Sequence, residues 1–307
     1  MTIRHLKIFL AVAETGKMNK AAEKLFITQP SVSQAIQELE KHYGTLLFER
    51  LSRKLYITED GKKLYSAAKQ LVEQFDNLED SMMKKNRKEK IRIGGTITLG
   101  CGILSRAVRD LRKERPDIEI YSYMNNTQII EQKLLNMELD IGIVEGQVKS
   151  RDLVSIPLID DMLVLACGKE HPFYGRSTLP IQELNGYDFV KREPGSGTRE
   201  LFENFIVRHR LDIHTTFEET TPDSIKNAIE INNCMAVISI RLLENEIRNG
   251  KIHVFAGPNR EWNRYFSFVY HKDKYLTDSL LRFKQLIVSH NNEEQIRKLK
   301  RGQLIDV

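Results

Sequence analysis

The sequence predicts an α+β multidomain chain: an N-terminal winged helix-turn-helix, a long linker helix and a C-terminal two-lobed α/β body. Three observations carry that prediction. Residues 21–40 hold two short apolar stripes at helical spacing, Ala21, Ala22 and Leu25, then Val32, Ala35, Ile36 and Leu39, with a tight break between them. From Glu59 to about Lys85, apolar residues alternate at spacings of four and three with no proline. Beyond residue 90, strand-like and helix-like runs alternate as β-α-β-α-β, the pattern of a parallel sheet with helices on its faces.

Taken in order, Leu6, Phe9, Leu10 and Ala13 stripe a first helix over residues 3–14, which Gly16 ends. Asn19 is the expected cap of the second helix. Thr28 caps the third, and Pro30 sits in its first turn, where a missing N–H is harmless. The outer face of that third helix is Gln29, Ser31, Ser33, Gln34 and Gln37. Short hydrogen-bonding groups with no bulky apolar residue suit a helix that meets base edges in the major groove. Two short β-prone runs, 46–50 and 55–58, flank a basic tip and form a hairpin wing, with Arg50, Arg53 and Lys54 placed for phosphates. The blander alternatives are an ordinary helix pair and a solvated basic turn.

Leu64, Ala68, Leu71, Phe75, Leu78 and Met82 form the seam of the linker helix. A stripe of this kind serves either dimerisation or packing on its own protein, and the position between head and body favours dimerisation. Residues 84–90 are a charged hinge. The body then predicts strands at 91–95, 119–124, 140–144, 162–167, 187–191, 236–239, 252–256 and 265–270. Helices are expected at 104–115, 127–137, 198–209, 223–231, 241–248 and 278–289, and the polar stretch 291–307 reads as a tail.

Composition bounds the function. The chain has 307 residues, 41% hydrophobic and 29% charged, an ordinary globular mix. Nine of its Lys and Arg against five of its Asp and Glu fall in the first 58 residues, most of the overall +5, so the head favours a polyanionic partner. Cys101, Cys167 and Cys234 are far apart and form no CxxC, which implies neither a disulfide framework nor a zinc site and fits a cytoplasmic protein. No export signal or membrane-length apolar run is present in the sequence. Metal and cofactor are expected to be absent. An enzyme is disfavoured: Pro194 stands where a GxSxG elbow needs Gly, and neither GxGxxG nor GK[ST] occurs. A solute-binding protein fits the body but not the basic head, and a thiol sensor at Cys101 would need a low thiol pKa.

The stretches Leu6–Gly16, Ala21–Leu25, Thr28–Ile36, Leu39-Glu40, Gly44, Leu47–Arg50 and Thr58–Gly61 together resemble the signature of the LysR-type transcriptional regulators. Leu139–Ile143 and Arg192–Arg199 support the likeness further along. The resemblance implies a regulator that binds an interrupted palindromic operator in double-stranded DNA. It also implies an antiparallel pairing of linker helices, homodimers or homotetramers, and a body resembling periplasmic binding proteins that takes a small coinducer, often anionic. RNA polymerase is a further implied partner, and members often repress their own gene while activating a divergent neighbour. The implied division is 1–58 for the DNA-binding domain, 59–88 for the linker and 89–307 for the effector domain. Crossings near Asp160-Asp161 and Arg264-Tyr265 put 89–161 plus 265–307 in lobe I and 162–264 in lobe II. Gln29, Ser33 and Gln34 are assigned to base reading, and Pro30, Ser31, Arg50 and Arg53 to positioning. Many relatives carry Arg where this chain has Gln34, and Gln prefers adenine where Arg prefers guanine.

Ligands in two-lobed α/β domains bind between the lobes, near the carboxyl ends of strands. Thr96 and Thr98 follow the first body strand, and Ser196, Gly197 and Thr198 open a helix, a ready anion cradle with Arg192 and Arg199 nearby. Thr221 and Glu145 are further candidates. Each of these also reads as an ordinary turn or cap.

Overall fold

The computed structural model describes residues 1–51, 54–82, 89–100 and 102–306, which divide into two compact units, Met1–Arg87 and Lys88–Val307. Four helices and a hairpin make the first unit: α1 (Ile3–Thr15), α2 (Met18–Leu25), α3 (Gln29–Tyr43), β1 (Phe48–Leu51), β2 (Lys54–Ile57) and the long α4 (Glu59–Met82). Its core joins Leu6, Phe9 and Val12 of α1 to Ala21 and Ala22 of α2 and Val32, Ile36 and Leu39 of α3. The predicted cap Asn19 lies inside α2, and Lys17 holds the cap position with no side-chain bond.

The turn from α2 to α3 is a Schellman motif. Phe26 N–H donates to the Glu23 carbonyl at 3.2 Å and Ile27 N–H to the Ala22 carbonyl at 3.0 Å, with Phe26 left-handed at φ 53°. Glycine is the usual occupant, and a side chain there costs about 1–2 kcal/mol. Thr28 caps α3 by accepting from Ser31 N–H. The Glu40 carboxylate of α3 takes the N–H groups of Leu47 and Phe48 at 2.9 and 3.3 Å, tying the wing to that helix. At Gly61 a Cβ would sit 2.3 Å from the Leu47 carbonyl oxygen, so only glycine lets α4 start against the hairpin.

The α4 stripe splits in two. Leu64, Tyr65, Ala68 and Val72 pack onto the core of the same unit, while Leu71, Leu78 and Met82 are exposed. Lys7 binds Asp76 at 2.7 Å. Packing on its own protein thus accounts for Leu64 and Ala68, while the exposed residues lie on another face of the helix.

The second unit contains β3 (Lys90–Gly95), α5 (Ile97–Gly100), α6 (Ile103–Glu114), β4 (Glu119–Met124), α7 (Thr127–Leu135), β5 (Ile141–Glu145), β6 (Leu153–Gly168) and β7 (Thr178–Pro180). It continues with β8 (Asp188–Arg192), α8 (Gly197–His209), β9 (His214–Glu219), α9 (Pro222–Asn232), β10 (Ala236–Ser239), α10 (Glu244–Arg248), β11 (Ile252–Ala256), β12 (Asn263–His271), α11 (Asp278–Ser289), α12 (Glu293–Arg297) and β13 (Gly302–Ile305). In lobe I, β3 pairs parallel to β4 and β5, and β12 runs antiparallel between β5 and β6. The 16-residue β6 is shared: residues 153–162 pair with β12, and the rest pairs with β10 and β11 in lobe II. Ile93, Ile141, Phe266 and Phe283 fill the first lobe; Leu165, Phe189, Phe255 and Trp262 belong to the second.

One sequence expectation is corrected, and one strand goes beyond it. Residues 291–307 are not a tail assigned to lobe I: Ile296 and Leu299 enter one lobe II core, Leu304 enters another, and β13 pairs parallel to β11. Three spaced apolar side chains in polar sequence were enough to dock the segment, too few to set a period. The strand β9, His214–Glu219, has no counterpart in the sequence reading, because its side chains are mostly exposed.

Candidate functional site

Two surfaces gather the sequence candidates, one in each unit. On α3, Gln29, Pro30, Ser31 and Gln34 are exposed and Ser33 is half-buried, so the short polar face is open to a partner. Several of its groups are already engaged. The Ser31 hydroxyl lies 2.8 Å from Thr28 Oγ1, and the Gln34 amide donates to Glu38 at 2.9 Å. Gln34 and then His5 hold the Glu38 carboxyl below its ordinary value. The backbones of Arg50 and Lys54 lie on β1 and β2, in paired register across the wing, whereas Arg53 falls outside the described residues.

In the second unit the ends of β3 and β5 face the start of α8. Glu145, the last residue of β5, is 2% exposed and sits at the centre. Its carboxylate accepts from Arg264 Nη2 at 3.1 Å, from Thr198 Oγ1 at 3.4 Å and from Thr96 Oγ1 at 3.5 Å. Arg264 also donates through Nη1 to Thr198 Oγ1 and through Nε to Asp161, both at 2.8 Å. Asp161 in turn accepts from Ser239 Oγ at 2.6 Å and lies 3.5 Å from Arg241 Nε. Burial pulls the Arg241 guanidinium below its ordinary value while Asp161 opposes the shift. Two arginines against two carboxylates leave this buried network neutral, as buried charges require.

The lobes are closed on each other. Asn126 Nδ2 donates to the Pro194 carbonyl at 3.2 Å, Gln128 N–H to the Gly195 carbonyl at 3.4 Å, and Lys149 pairs with Glu200 at 3.2 Å. Where backbone meets backbone, a Cβ on Gly197 would lie 2.7 Å from the Glu145 carbonyl oxygen and 3.3 Å from Gly146 Cα. A cavity of about 370 Å³ opens at the lip, lined by residues including Thr127, Gln128, Lys149, Ser196 and Glu200. Ser196 Oγ lines it without a hydrogen-bond partner and is buried.

The structure thus brings together Thr96, Glu145, Ser196, Gly197 and Thr198. Thr98 is buried on α5, two residues beyond Thr96. Thr221 is exposed, and its hydroxyl caps α9 by accepting from Ser224 N–H at 3.2 Å. Arg192 and Arg199 are neutralised locally, by Glu193 and by Glu218 with Glu203. Arg264, Asp161, Ser239 and Arg241 are the members the sequence assignment lacked. Their signal was a charged residue inside each of two otherwise strand-like runs, Asp160-Asp161 and Arg264. The buried Cys167 thiol is pushed up to about 12, away from reactivity, and Cys101 lies outside the described residues. Among the described residues no group of His, Cys, Asp and Glu could hold a metal ion, and no helix is long and apolar enough to cross a membrane.

Two family models match the chain: the LysR substrate binding domain over residues 84–292, and the bacterial regulatory helix-turn-helix protein, lysR family, over residues 3–62. The HTH-type transcriptional regulator CysL of Bacillus subtilis is 30% identical over 267 residues, covering 86% of this chain and 89% of the relative. Full-length OxyR from Pseudomonas aeruginosa superposes with a TM-score of 0.71 at 20% identity, covering 98% of this chain and 96% of that one. The Synechocystis CcmR regulatory domain in complex with 2-PG matches at TM-score 0.61 and 25% identity, covering 66% of this chain and 98% of that one.

Proposed function

The chain belongs to the LysR family of bacterial helix-turn-helix regulators, and on that premise we propose that a small anion entering between its lobes sets how its DNA-binding heads are presented. The protein is a DNA-binding transcriptional regulator whose output is occupancy of DNA, in the cytoplasm where the chromosome lies, and not turnover. Gln29, Ser33 and Gln34 read base edges, with Pro30, Ser31, Arg50, Arg53 and Lys54 positioning the head on the backbone. The exposed Leu71, Leu78 and Met82 stripe of α4 pairs with a second copy.

The observation that carries the effector reading is the position of Glu145. One carboxylate already lies between Thr96, Thr198 and Arg264, so the site is built to hold negative charge. An incoming carboxylate or phosphate takes over those donors, and the similar CcmR regulatory domain is itself in complex with a small molecule, 2-PG. Glu145 then leaves the Arg264 guanidinium, and the closed contacts at Gly197 and Pro194 are redistributed. Thermal-shift screening of the full-length protein against small carboxylates, phosphates and sulfur oxyanions tests this. A stabilising anion that also changes the gel shift on the DNA upstream of the chain's own gene is expected. Stabilisation only by amines or neutral compounds would refute the anion assignment.

A further inference from the structure

Phe26 is the most exposed large apolar side chain of the protein among the described residues, 97% open to solvent, and it is held in a left-handed backbone conformation. Five described non-glycine residues have positive φ, and four of them have an evident reason. Asn233 and Asn259 are of a type that tolerates that region. Met137 is 3% exposed and returns its strain as core burial, and Arg210 puts a charged head into water. Phe26 has neither compensation. A glycine or asparagine in the same Schellman turn would relieve the backbone and remove a ring from water, so the stability of the head alone argues against phenylalanine.

The place of the turn supplies the missing return. Phe26 precedes the Thr28 cap by two residues, at the N-terminal end of α3, and the exposed Gln29 follows immediately. That end of a recognition helix is the one that meets bases. A phenyl ring cannot donate to a phosphate, and the apolar group displayed on base edges in the major groove is the thymine 5-methyl. We propose that Phe26 is a sequence-reading residue whose ring packs on a thymine methyl beside the bases read by Gln29. The proposal rests on the DNA-binding reading of α3 and adds to it a contact that the polar face cannot make.

The test uses full-length protein and a duplex that the wild type selects from a randomised library. Phe26→Ala and Phe26→Asn are compared with wild type by fluorescence anisotropy, with each thymine replaced in turn by deoxyuridine, which lacks only the methyl. Both variants are expected to melt at or above the wild-type temperature, the asparagine variant higher, and to bind the selected duplex about ten-fold more weakly. One deoxyuridine position should weaken the wild type and leave both variants unaffected. Undiminished affinity of Phe26→Asn overturns the proposal, as does the absence of any thymine whose methyl effect vanishes in the variants. A wild type that enriches no sequence overturns the DNA-binding reading itself, an outcome visible before any variant is made.

Discussion

Arg264 and Glu145 meet 3.1 Å apart in the closed cleft, both almost fully buried, and 119 residues separate them in sequence. Their pairing draws the edge of lobe I, where β5 ends, to the crossing strand β12 and, through Thr198, to the first turn of α8. Losing Arg264 leaves Glu145 as an uncompensated buried charge, whereas Arg264 keeps Asp161 at 2.8 Å when Glu145 is neutralised. Arg264→Met is therefore expected to cost about 3–5 kcal/mol, read as a lower denaturant midpoint, and to abolish any anion response. Glu145→Gln keeps the shape and removes the resident negative charge. It should lose only about 1–3 kcal/mol and bind a stabilising anion more tightly than wild type by isothermal titration.

Gly197→Ala forces its Cβ to within 2.7 Å of the Glu145 carbonyl, and backbone cannot move aside as a flexible side chain would. The expected result is a cleft wedged partly open, at an overpacking cost of about 1–3 kcal/mol. Small-angle scattering of the variant should show a larger effector body than wild type. An unchanged profile would mean that the lobes do not depend on this contact.

The two faces of α4 give opposite outcomes. Leu78 is exposed, so Leu78→Asp should leave folding within about 0.5 kcal/mol and reduce self-association in analytical ultracentrifugation. Ala68 is 2% exposed against the head core, and Ala68→Asp should unfold the head by burying an unpaired charge.

Asp140 predicts the acid limb of stability. Burial pushes its carboxyl up, but Arg92 at 2.8 Å and Lys274 at 2.7 Å more than offset this and hold it below its ordinary value. A depressed folded pKa contributes stability that is fully present above the unfolded value, near 4, and is lost as pH falls through the folded one. Asp140→Asn should therefore flatten the loss of melting temperature below about pH 4 while lowering stability at neutral pH.

The helical head was readable because its core obeys the 3.6-residue period and its breaks carry Thr28, Pro30 and glycines at the positions that caps demand. The cleft was readable where candidates sit at helix starts, as Ser196 and Thr198 do, or just at the ends of strands, as Thr96 and Glu145 do. Arg264 and Asp161 stayed hidden because their meaning is pairing across 103 residues, which no local spacing encodes. Docking of residues 293–305 was hidden for the opposite reason: Ile296, Leu299 and Leu304 bind into lobe II one at a time, under no common periodicity.

The unbroken run of β6 through both lobes has a mechanical implication. A strand hydrogen-bonded on either side of the junction bends as a leaf spring, with a restoring torque, and does not swing like a loose joint.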